Sequence, residues 1–284
     1  MSRVLVIGST GKIGRAVIEQ LENSGIPVRA FTRDPDAAQF PASIETVRGD
    51  LSDPATLDPA LAGIDTVFLV WTAPPSAIPA AMDRIIRRTR RIVFLSAPIK
   101  TPHPFFQQPN AARKIPEAIE PLIENSGLEW TFLRPGMLAA NALLWWGPPI
   151  RAGQTVRWPY LSVPTAPIDE RDIAAVAVRA LTEAAHSREE WVLTGPQSLT
   201  HRDQISIIGD ALGRSIPVEE ISPDEARREL VRLFPLFVVD MLLDAWGAAA
   251  GLPAYMTSTV EEITGSPARP FQTWVTDRIT HFRQ

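Results

Sequence analysis

The stretch from Val4 to Gly14 reads Val-Leu-Val-Ile-Gly-Ser-Thr-Gly-Lys-Ile-Gly. It begins with an apolar run long enough for a buried strand and continues with three glycines spaced by three. Ile13, Val17, Ile18 and Leu21 then recur at helical spacing. Strand, glycine turn and helix in this order form an anion site, because glycine permits close backbone approach and the helix N-terminus presents unpaired N–H groups. The stretch therefore predicts a phosphate-bearing ligand, with a ligand-free tight turn as the alternative.

A second predicted strand, from Ile26 to Thr32, ends in Thr-Arg-Asp-Pro. In a dinucleotide-binding fold this position contacts the adenosine ribose, where an acid accepts from the 2′-hydroxyl and an arginine accommodates a 2′-phosphate. Arg33 comes first here, and Lys12 adds a positive charge in the glycine turn. These residues favour NADP(H) over NAD(H) as the cofactor; a solvated turn with no such role is the alternative.

Further apolar runs begin near Ile44, Thr66, Ile92 and Trp130, and helical stretches separate them. Runs of this kind are typical of strands covered on both faces, so we predict an α/β fold with a doubly wound parallel sheet. Ligands bind at the carboxyl ends of such strands. The residues predicted to bind the cofactor are Gly8, Ser9, Thr10, Gly11, Lys12, Ile13, Gly14, Arg33, Asp50, Leu51, Trp71, Thr72, Ser96, Pro135 and Gly136.

From about residue 137 the regular alternation of strand and helix is lost. We predict a nucleotide-binding core over residues 1–136 and a smaller, mainly helical substrate lobe over 137–284, with 168–195 returning to the core. The aromatic residues expected near a substrate cleft favour a flat, apolar ligand. They are Trp71, Phe105, Phe106, Trp145, Trp146, Trp158 and Tyr160, with packing in the core as the alternative for each tryptophan.

The 284 residues carry a net charge of −4 and no cysteine, which argues against a nucleic-acid partner and against disulfide or thiolate chemistry. The arginines between residues 84 and 91 are interpreted as a solvated helix end. The four histidines lack ligand spacing, so no metal site is predicted. No apolar run approaches the ~18–20 residues of a membrane span, and the early first strand leaves no room for a signal peptide. We expect a cytoplasmic protein with a small-molecule substrate and no membrane partner; a homodimer is left open.

Taken together, these motifs resemble the NmrA-like branch of the atypical short-chain dehydrogenase/reductase family over nearly the whole chain. The resemblance rests on the runs Gly8–Gly14, Thr32–Arg33, Gly49–Leu51, Ser126–Gly136 with Asn141, and Pro167–Ala174. It implies an NAD(P)-binding Rossmann domain with a small C-terminal substrate lobe. Members include NADPH-dependent reductases of quinones, iminium ions and benzylic ethers, and also redox sensors that bind the dinucleotide without turning it over.

The chain departs from the wider family at the Tyr-x-x-x-Lys pair, in which the tyrosine donates a proton and the lysine assists it. The corresponding helix, Asn110–Glu117, contains no tyrosine. Asn110 and Lys114 keep the four-residue spacing, but asparagine is not a general acid at neutral pH. Tyr160 lies on a predicted site loop and is the candidate donor; these three are the predicted catalytic residues.

Three functions are compatible with that departure. The protein is predicted to be an NADPH-dependent reductase of an apolar, conjugated or aromatic molecule, such as a quinone, iminium ion, enone or ketone. Hydride transfer to an activated acceptor needs little simultaneous protonation, so the cofactor carries the chemistry and the protein orients it. The alternatives are a non-catalytic NADP(H)-binding sensor or a non-redox isomerase or cyclase on the same fold.

Overall fold

The computed structural model describes residues 3–108, 113–183 and 186–283. By their internal contacts, the described residues divide into two compact units. The first unit is drawn from Met1–Ala97, Ala112–Pro135 and Glu170–Trp191, and the second from Pro98–Ala111, Gly136–Asp169 and Val192–Gln284. Each unit therefore combines segments that are distant in sequence.

The first unit is organised around a seven-stranded sheet in the order β3-β2-β1-β4-β5-β6-β9. Its strands are Arg3–Ile7 (β1), Val28–Thr32 (β2), Glu45–Arg48 (β3), Ile64–Leu69 (β4), Arg91–Leu95 (β5), Glu129–Pro135 (β6) and Glu189–Leu193 (β9). The pairings among β1 to β6 are parallel. The helices are Lys12–Asn23 (α1), Pro35–Ala38 (α2), Leu57–Ala60 (α3), Ile78–Arg88 (α4), Lys114–Glu124 (α6) and Glu170–Thr182 (α9). The predicted parallel α/β fold is confirmed.

Strand β1 shows why this sheet is apolar on both faces. Leu5 and Ile7 join a core cluster that also contains residues of α4 and α6. Val4 and Val6 are equally buried and, because side chains alternate along a strand, point to the opposite face. Helices α1 and α9 pack against each other, and Gln20 donates a hydrogen bond to the Arg171 carbonyl at 2.9 Å. Strands so enclosed need continuous apolar sequence, which the chain provides.

The arginines between residues 84 and 91 are paired with carboxylates. Arg84 and Arg88 contact Asp58, Arg87 contacts Asp83, and Arg90 and Arg91 contact Glu129. The last two lie beyond α4, and the Arg91 side chain, at the start of β5, is only 7% exposed. The interpretation as one solvated helix end therefore needs correction, because sheet formation buries the final arginine.

The second unit contains short strands at Val156–Trp158 (β7), Pro164–Thr165 (β8), Leu199–Thr200 (β10) and Val218–Glu220 (β11). Its helices are Pro104–Gln107 (α5), Asn141–Trp145 (α7), Gly147–Arg151 (α8), His201–Leu212 (α10), Pro223–Leu230 (α11), Leu236–Ala249 (α12), Thr259–Thr264 (α13) and Phe271–Asp277 (α14). β7 pairs with β11 and β8 with β10. The unit is mainly helical, as predicted. Among the described residues, no helix is long and apolar enough to cross a bilayer.

The core of the second unit encloses one histidine among tryptophans. His201 is fully buried, and its ring centroid lies 5.0 Å from that of Trp246, 5.9 Å from Trp146 and 6.4 Å from both Trp145 and Trp158. Its Nδ1 donates to a backbone carbonyl, that of residue 160, at 3.1 Å. Burial away from water lowers the pKa of His201 to about 4, because an imidazolium would lose its hydration there. For Trp145, Trp146 and Trp158 the structure therefore supports the alternative of core packing over a position beside a substrate cleft.

This burial predicts a pH-dependent stability. The folded state keeps His201 neutral down to pH about 4, whereas the unfolded chain binds the proton near 6.5. Stability from this residue is therefore complete above 6.5 and lost as the pH falls from 6.5 to 4, by roughly 3 kcal/mol at about 1.4 kcal/mol per pKa unit. Urea unfolding between pH 7 and 4.5 measures it. His201→Gln should flatten the slope over that window; an unchanged slope would assign the pH dependence to other groups.

Candidate functional site

A pocket of about 290 Å³ opens in the first unit where four parallel strands end. The turn after β1 contributes Gly8, Thr10 and Gly11, and the end of β2 contributes Thr32 and Arg33. The turns after β3 and β4 add Gly49, Asp50, Leu51, Ser52, Val70, Thr72 and Pro74. Its position at the carboxyl ends of parallel strands is where α/β sheets bind ligands.

The glycines of this pocket are needed for different reasons. Gly8 has a φ of +80°, and a Cβ there would lie 2.6 Å from the Val70 Cβ. A Cβ on Gly14 would lie 2.2 Å from the Gly8 carbonyl oxygen, so this glycine lets α1 approach the turn. Gly11 is the N-cap of α1; no side chain caps the helix and its first turn carries no acidic residue. The arrangement fits a pyrophosphate, whose negative charge is stabilised at a helix N-terminus.

The two charged residues after β2 have separate roles. The Asp34 carboxylate caps α2 by accepting from the Ala37 N–H at 3.2 Å. Arg33 lines the pocket with an exposed side chain, and its guanidinium makes no ion pair within the described residues. Because Asp34 caps α2, Arg33 is the one of these two residues that lines the pocket. A ribose carrying a 2′-phosphate fits this geometry better than one carrying a free hydroxyl.

Other predicted residues of the glycine turn lie behind the pocket wall. Ser9 is fully buried and its hydroxyl donates to the Phe31 carbonyl at 2.8 Å, which ties the turn to β2. Ile13 is buried in α1, and exposed Lys12 is outside the pocket lining. The side chains of Ser9 and Ile13 therefore support the turn, and only the backbone atoms of these two residues are available to a ligand.

After β3, Leu51 is buried and Asp50 is half-buried, with its carboxylate accepting from the Ser52 N–H at 2.8 Å. After β4, Thr72 lines the pocket, whereas the indole of Trp71 donates to the Ala73 carbonyl at 2.6 Å and packs against the sheet core. The structure thus brings Asp50, Leu51 and Thr72 together with the glycine turn, but not Trp71.

The remaining predicted cofactor residues lie elsewhere. The Ser96 hydroxyl donates to Glu120 at 2.6 Å, inside a buried ionic network. Pro135 is the last residue of β6. Gly136 follows it and belongs to the second unit, where it lines a different cleft. None of the three contributes to the pocket around the glycine turn.

That second cleft is aromatic. It is lined by His103, Phe105, Phe106, Met137 and Tyr255, with Gly136, Pro164, Thr165, Ala166, Thr194 and Ala254 around them. The Phe105 and Phe106 centroids are 4.9 Å apart at 78°, and the Phe106 and Tyr255 centroids are 6.1 Å apart at 88°. The rings present apolar faces and edges to a cleft of about 20 Å³. The expected placement of Phe105 and Phe106 at a cleft agrees with this structure.

Of the three predicted catalytic residues, the structure describes Tyr160 and Lys114. Tyr160 has a φ of +52° and packs on α12, with its hydroxyl 2.9 Å from where a Cβ on Gly247 would lie. It is absent from the lining of the aromatic cleft. Lys114 is exposed at the start of α6, in the first unit. Asn110 lies outside the described residues. Their catalytic roles remain predictions.

Sequence reasoning missed His103 and Tyr255. His103 caps α5 by accepting from the Phe105 N–H at Nδ1, and its Nε2 lies 3.1 Å from the Pro253 carbonyl. Tyr255 follows Gly251 and Pro253 in a segment without regular structure. The one local signal is that Tyr255 is one of only two tyrosines in the chain and sits among turn residues. The contact with residues 103–106 spans about 150 positions, which no local pattern reveals.

The chain was compared with protein families and characterised proteins. The family described as NAD(P)H-binding matches residues 8–184. A (4-alkanoyl-5-oxo-2,5-dihydrofuran-3-yl)methyl phosphate reductase of Streptomyces griseus is 36% identical over 98% of this chain and 99% of its own length. An NAD(P)H azoreductase of Xenophilus azovorans is 31% identical over 94% and 95%. Both relatives are reductases and both extend over nearly the whole chain.

Solved structures share the fold at lower identity. An NADPH-dependent quinone oxidoreductase of Escherichia coli, in complex with NADPH, aligns with a TM-score of 0.78 at 22% identity, covering 98% of this chain and 99% of that one. A Citrobacter triphenylmethane reductase with NADP(H) gives 0.78 at 18% identity, covering 98% and 100%. At these identities the likeness concerns the fold.

These comparisons and the glycine-turn pocket confirm the predicted fold, oxidoreductase class and NAD(P)H cofactor. The matched regions also include the sequence segments on which the resemblance is based. The chain belongs to the NAD(P)H-binding family, which agrees with the resemblance drawn from its sequence.

Proposed function

We propose that this protein is an NADPH-dependent reductase of a planar, conjugated or aromatic small molecule. The single observation that carries the proposal is the aromatic cleft of the second unit, in a chain whose first unit has a dinucleotide pocket. Phe105, Phe106 and Tyr255 supply ring faces and edges there, and Met137 adds a polarisable side chain. The second unit is thus the proposed substrate unit.

The cofactor's preferred form is part of the proposal. The Gly8–Gly11 turn and the N-terminus of α1 would hold the pyrophosphate, and Arg33 would contact the 2′-phosphate. Thr72 and Asp50 lie at the strand ends beside them. A bound nicotinamide cofactor supplies a hydride. The protein's own contribution is to orient the acceptor and to exclude water with apolar side chains.

Replacing Arg33 tests the cofactor preference. Arg33→Ala should weaken NADPH binding about tenfold or more, since a charge-assisted hydrogen bond contributes roughly 1.5–3 kcal/mol, while NADH binding should stay within about twofold. Fluorescence titration of both cofactors gives the two dissociation constants. Arg87→Ala removes the same charge from the first unit outside the pocket and is the matched control. Equal losses for NADPH and NADH would contradict a 2′-phosphate contact.

Substrate class is tested by turnover. Purified protein is mixed with NADPH and a panel of quinones, enones, 2,5-dihydrofuranones, iminium ions, ketones and azo dyes, and cofactor oxidation is followed at 340 nm. The azo and furanone acceptors are included because relatives that reduce such compounds are 31% and 36% identical. We expect planar conjugated acceptors to be reduced faster than saturated ketones of the same size. A preference for non-planar aliphatic ketones would contradict the assignment of the aromatic cleft.

The missing Tyr-x-x-x-Lys pair favours a second candidate, a dinucleotide-binding regulator. The only tyrosines are Tyr160 and Tyr255, so the helix that begins at Lys114 carries no phenol. A regulator would bind NADPH, and the bound cofactor would raise the melting temperature of the protein. The protein would not oxidise NADPH in the presence of any acceptor. Such a protein should also respond to the ratio of oxidised to reduced cofactor, measured as different proteolysis patterns with NADP⁺ and NADPH. A non-redox isomerase would instead convert its substrate with no change at 340 nm.

A further inference from the structure

The polar side chains of the aromatic cleft differ in whether their hydrogen-bonding groups are already engaged. The His103 ring accepts from the Phe105 N–H at Nδ1, so the Nε2 that lies 3.1 Å from the Pro253 carbonyl is the protonated donor. Both ring nitrogens are thereby engaged within the protein, and the imidazole positions the chain.

The two threonines of the cleft are also engaged. Thr165 is 5% exposed and its Oγ1 accepts from the Gln204 side chain at 2.9 Å. The Thr194 Oγ1 accepts from the Thr257 N–H at 2.9 Å. The Tyr255 hydroxyl, by contrast, has no hydrogen-bond partner in the part of the chain that the structure describes. It is the one phenol in a cleft that is otherwise mostly apolar.

Tyr255 is held on both sides. Upstream, the His103 Nε2–H bond fixes the Pro253 carbonyl. Downstream, the Thr257 N–H donates a hydrogen bond to the Thr194 Oγ1. The Thr257 hydroxyl donates to the Val192 carbonyl at 2.8 Å. The ring itself contacts Phe106 edge-to-face and lies 6.0 Å from His103. A side chain restrained this way loses little further freedom when it binds a ligand, which is the arrangement that a positioned catalytic group requires.

We propose that Tyr255 is the proton donor of this reductase, acting on the oxygen atom of an enone or related carbonyl acceptor in the aromatic cleft. This inference rests on the proposed function for its reductant, NADPH. Tyr255 would take the role of the family's tyrosine, although it lies far along the chain from the corresponding helix. This role also restricts the substrate class to acceptors that place an oxygen beside the ring faces of Phe105 and Phe106.

A bound NADPH would supply a hydride to the β-carbon of an enone, and the carbonyl oxygen would then gain the negative charge as the carbon–carbon π pair moves toward it. Tyr255 would donate its hydroxyl proton to that oxygen, so that the enol O–H bond forms as the phenolic O–H bond breaks. The phenolate would regain a proton from water, and the enol would tautomerise to the saturated ketone. An iminium acceptor needs no proton, because hydride addition alone neutralises it.

Tyr255→Phe keeps the ring contacts and removes only the hydroxyl. Ser266→Ala removes an exposed hydroxyl of the same unit outside the cleft and is the control. For an enone acceptor we expect kcat to fall about 10²–10⁴-fold in Tyr255→Phe. Iminium turnover and the NADPH dissociation constant should stay within about threefold. Ser266→Ala should leave all three values within about threefold. A fivefold or smaller loss of enone kcat, an equal loss with the iminium acceptor, or the same loss in Ser266→Ala would each overturn the assignment.

A binding measurement separates this inference from the proposed function. A planar 1,3-diketone, whose enolate carries charge on oxygen, is titrated into the NADP⁺ complex of each variant by tryptophan fluorescence. Tyr255→Phe should weaken its binding about tenfold, the value of a hydrogen bond to a charged group. If wild type reduces no acceptor but this loss is seen, the reductase proposal fails while Tyr255 stands as the group that binds the ligand's oxygen. Equal diketone affinity in all variants would overturn the role of Tyr255 whatever the turnover.

Discussion

Gly11→Val should abolish NADPH binding, with a dissociation constant raised by more than about 100-fold, while the protein remains folded. Gly11 has φ −73° and ψ 164°, an extended conformation that a β-branched residue adopts without strain. Its Cβ would meet only the Gly8 carbonyl, at 3.3 Å, so the backbone needs little adjustment. The isopropyl group would instead occupy the space in front of the N-terminus of α1, where a pyrophosphate must approach the backbone.

Gly14→Val is the contrasting variant. Its Cβ would lie 2.2 Å from the Gly8 oxygen and 2.9 Å from the Gly8 carbonyl carbon, both backbone atoms that cannot move aside cheaply. We expect Gly14→Val to lower the melting temperature in the absence of ligand, and Gly11→Val to leave it near the wild-type value. Millimolar NADPH should then raise the melting temperature of wild type alone. A Gly11→Val protein stabilised by NADPH as strongly as wild type would place the pyrophosphate elsewhere.

The difference between these two glycines illustrates what the sequence could predict. Strand, turn and helix are contiguous, so the spacing of Gly8, Gly11 and Gly14 and the apolar period of α1 suffice to indicate a phosphate cradle. The C-cap was predictable for the same reason: Gly25 has a φ of +69°, as expected for the left-handed residue that ends a helix. The role of each glycine within the turn was not predictable, because it depends on which atoms lie opposite its missing side chain.

The direction of single side chains was harder to predict than the strands that carry them. Trp71 and Ser96 both follow strands at the ligand-binding edge, yet Trp71 packs on the sheet core and Ser96 bonds a buried carboxylate. Position after a strand fixes which edge a residue occupies; packing decides where its side chain points. In the second unit the sequence does not indicate which segments meet, because the aromatic cleft is formed by residues 103–106, 136–137 and 254–255, which are far apart in the chain.

The buried ion pair next to Ser96 predicts the largest loss of stability. Arg134 and Glu120 have side chains only 4% and 3% exposed, and Nη2 lies 2.9 Å from each carboxylate oxygen. The Ser96 hydroxyl donates to the same carboxylate, and Glu190 contacts the other side of the guanidinium. With both charges removed from water, each is tolerated only because the other neutralises it.

Arg134→Met should therefore lower the free energy of unfolding by about 3–5 kcal/mol, because it leaves the buried Glu120 carboxylate without its cation. Glu120→Leu should cost less, because Glu190 still pairs with the Arg134 guanidinium. The double variant should recover most of this loss, since an apolar pair of similar volume carries no desolvation cost. Arg179→Met breaks the exposed Arg179–Glu183 pair of α9 and should cost less than about 1 kcal/mol. Urea unfolding of the four variants gives the coupling energy directly. If the losses in the double variant were additive, packing and not charge pairing would account for the contribution of these two residues to the free energy of unfolding.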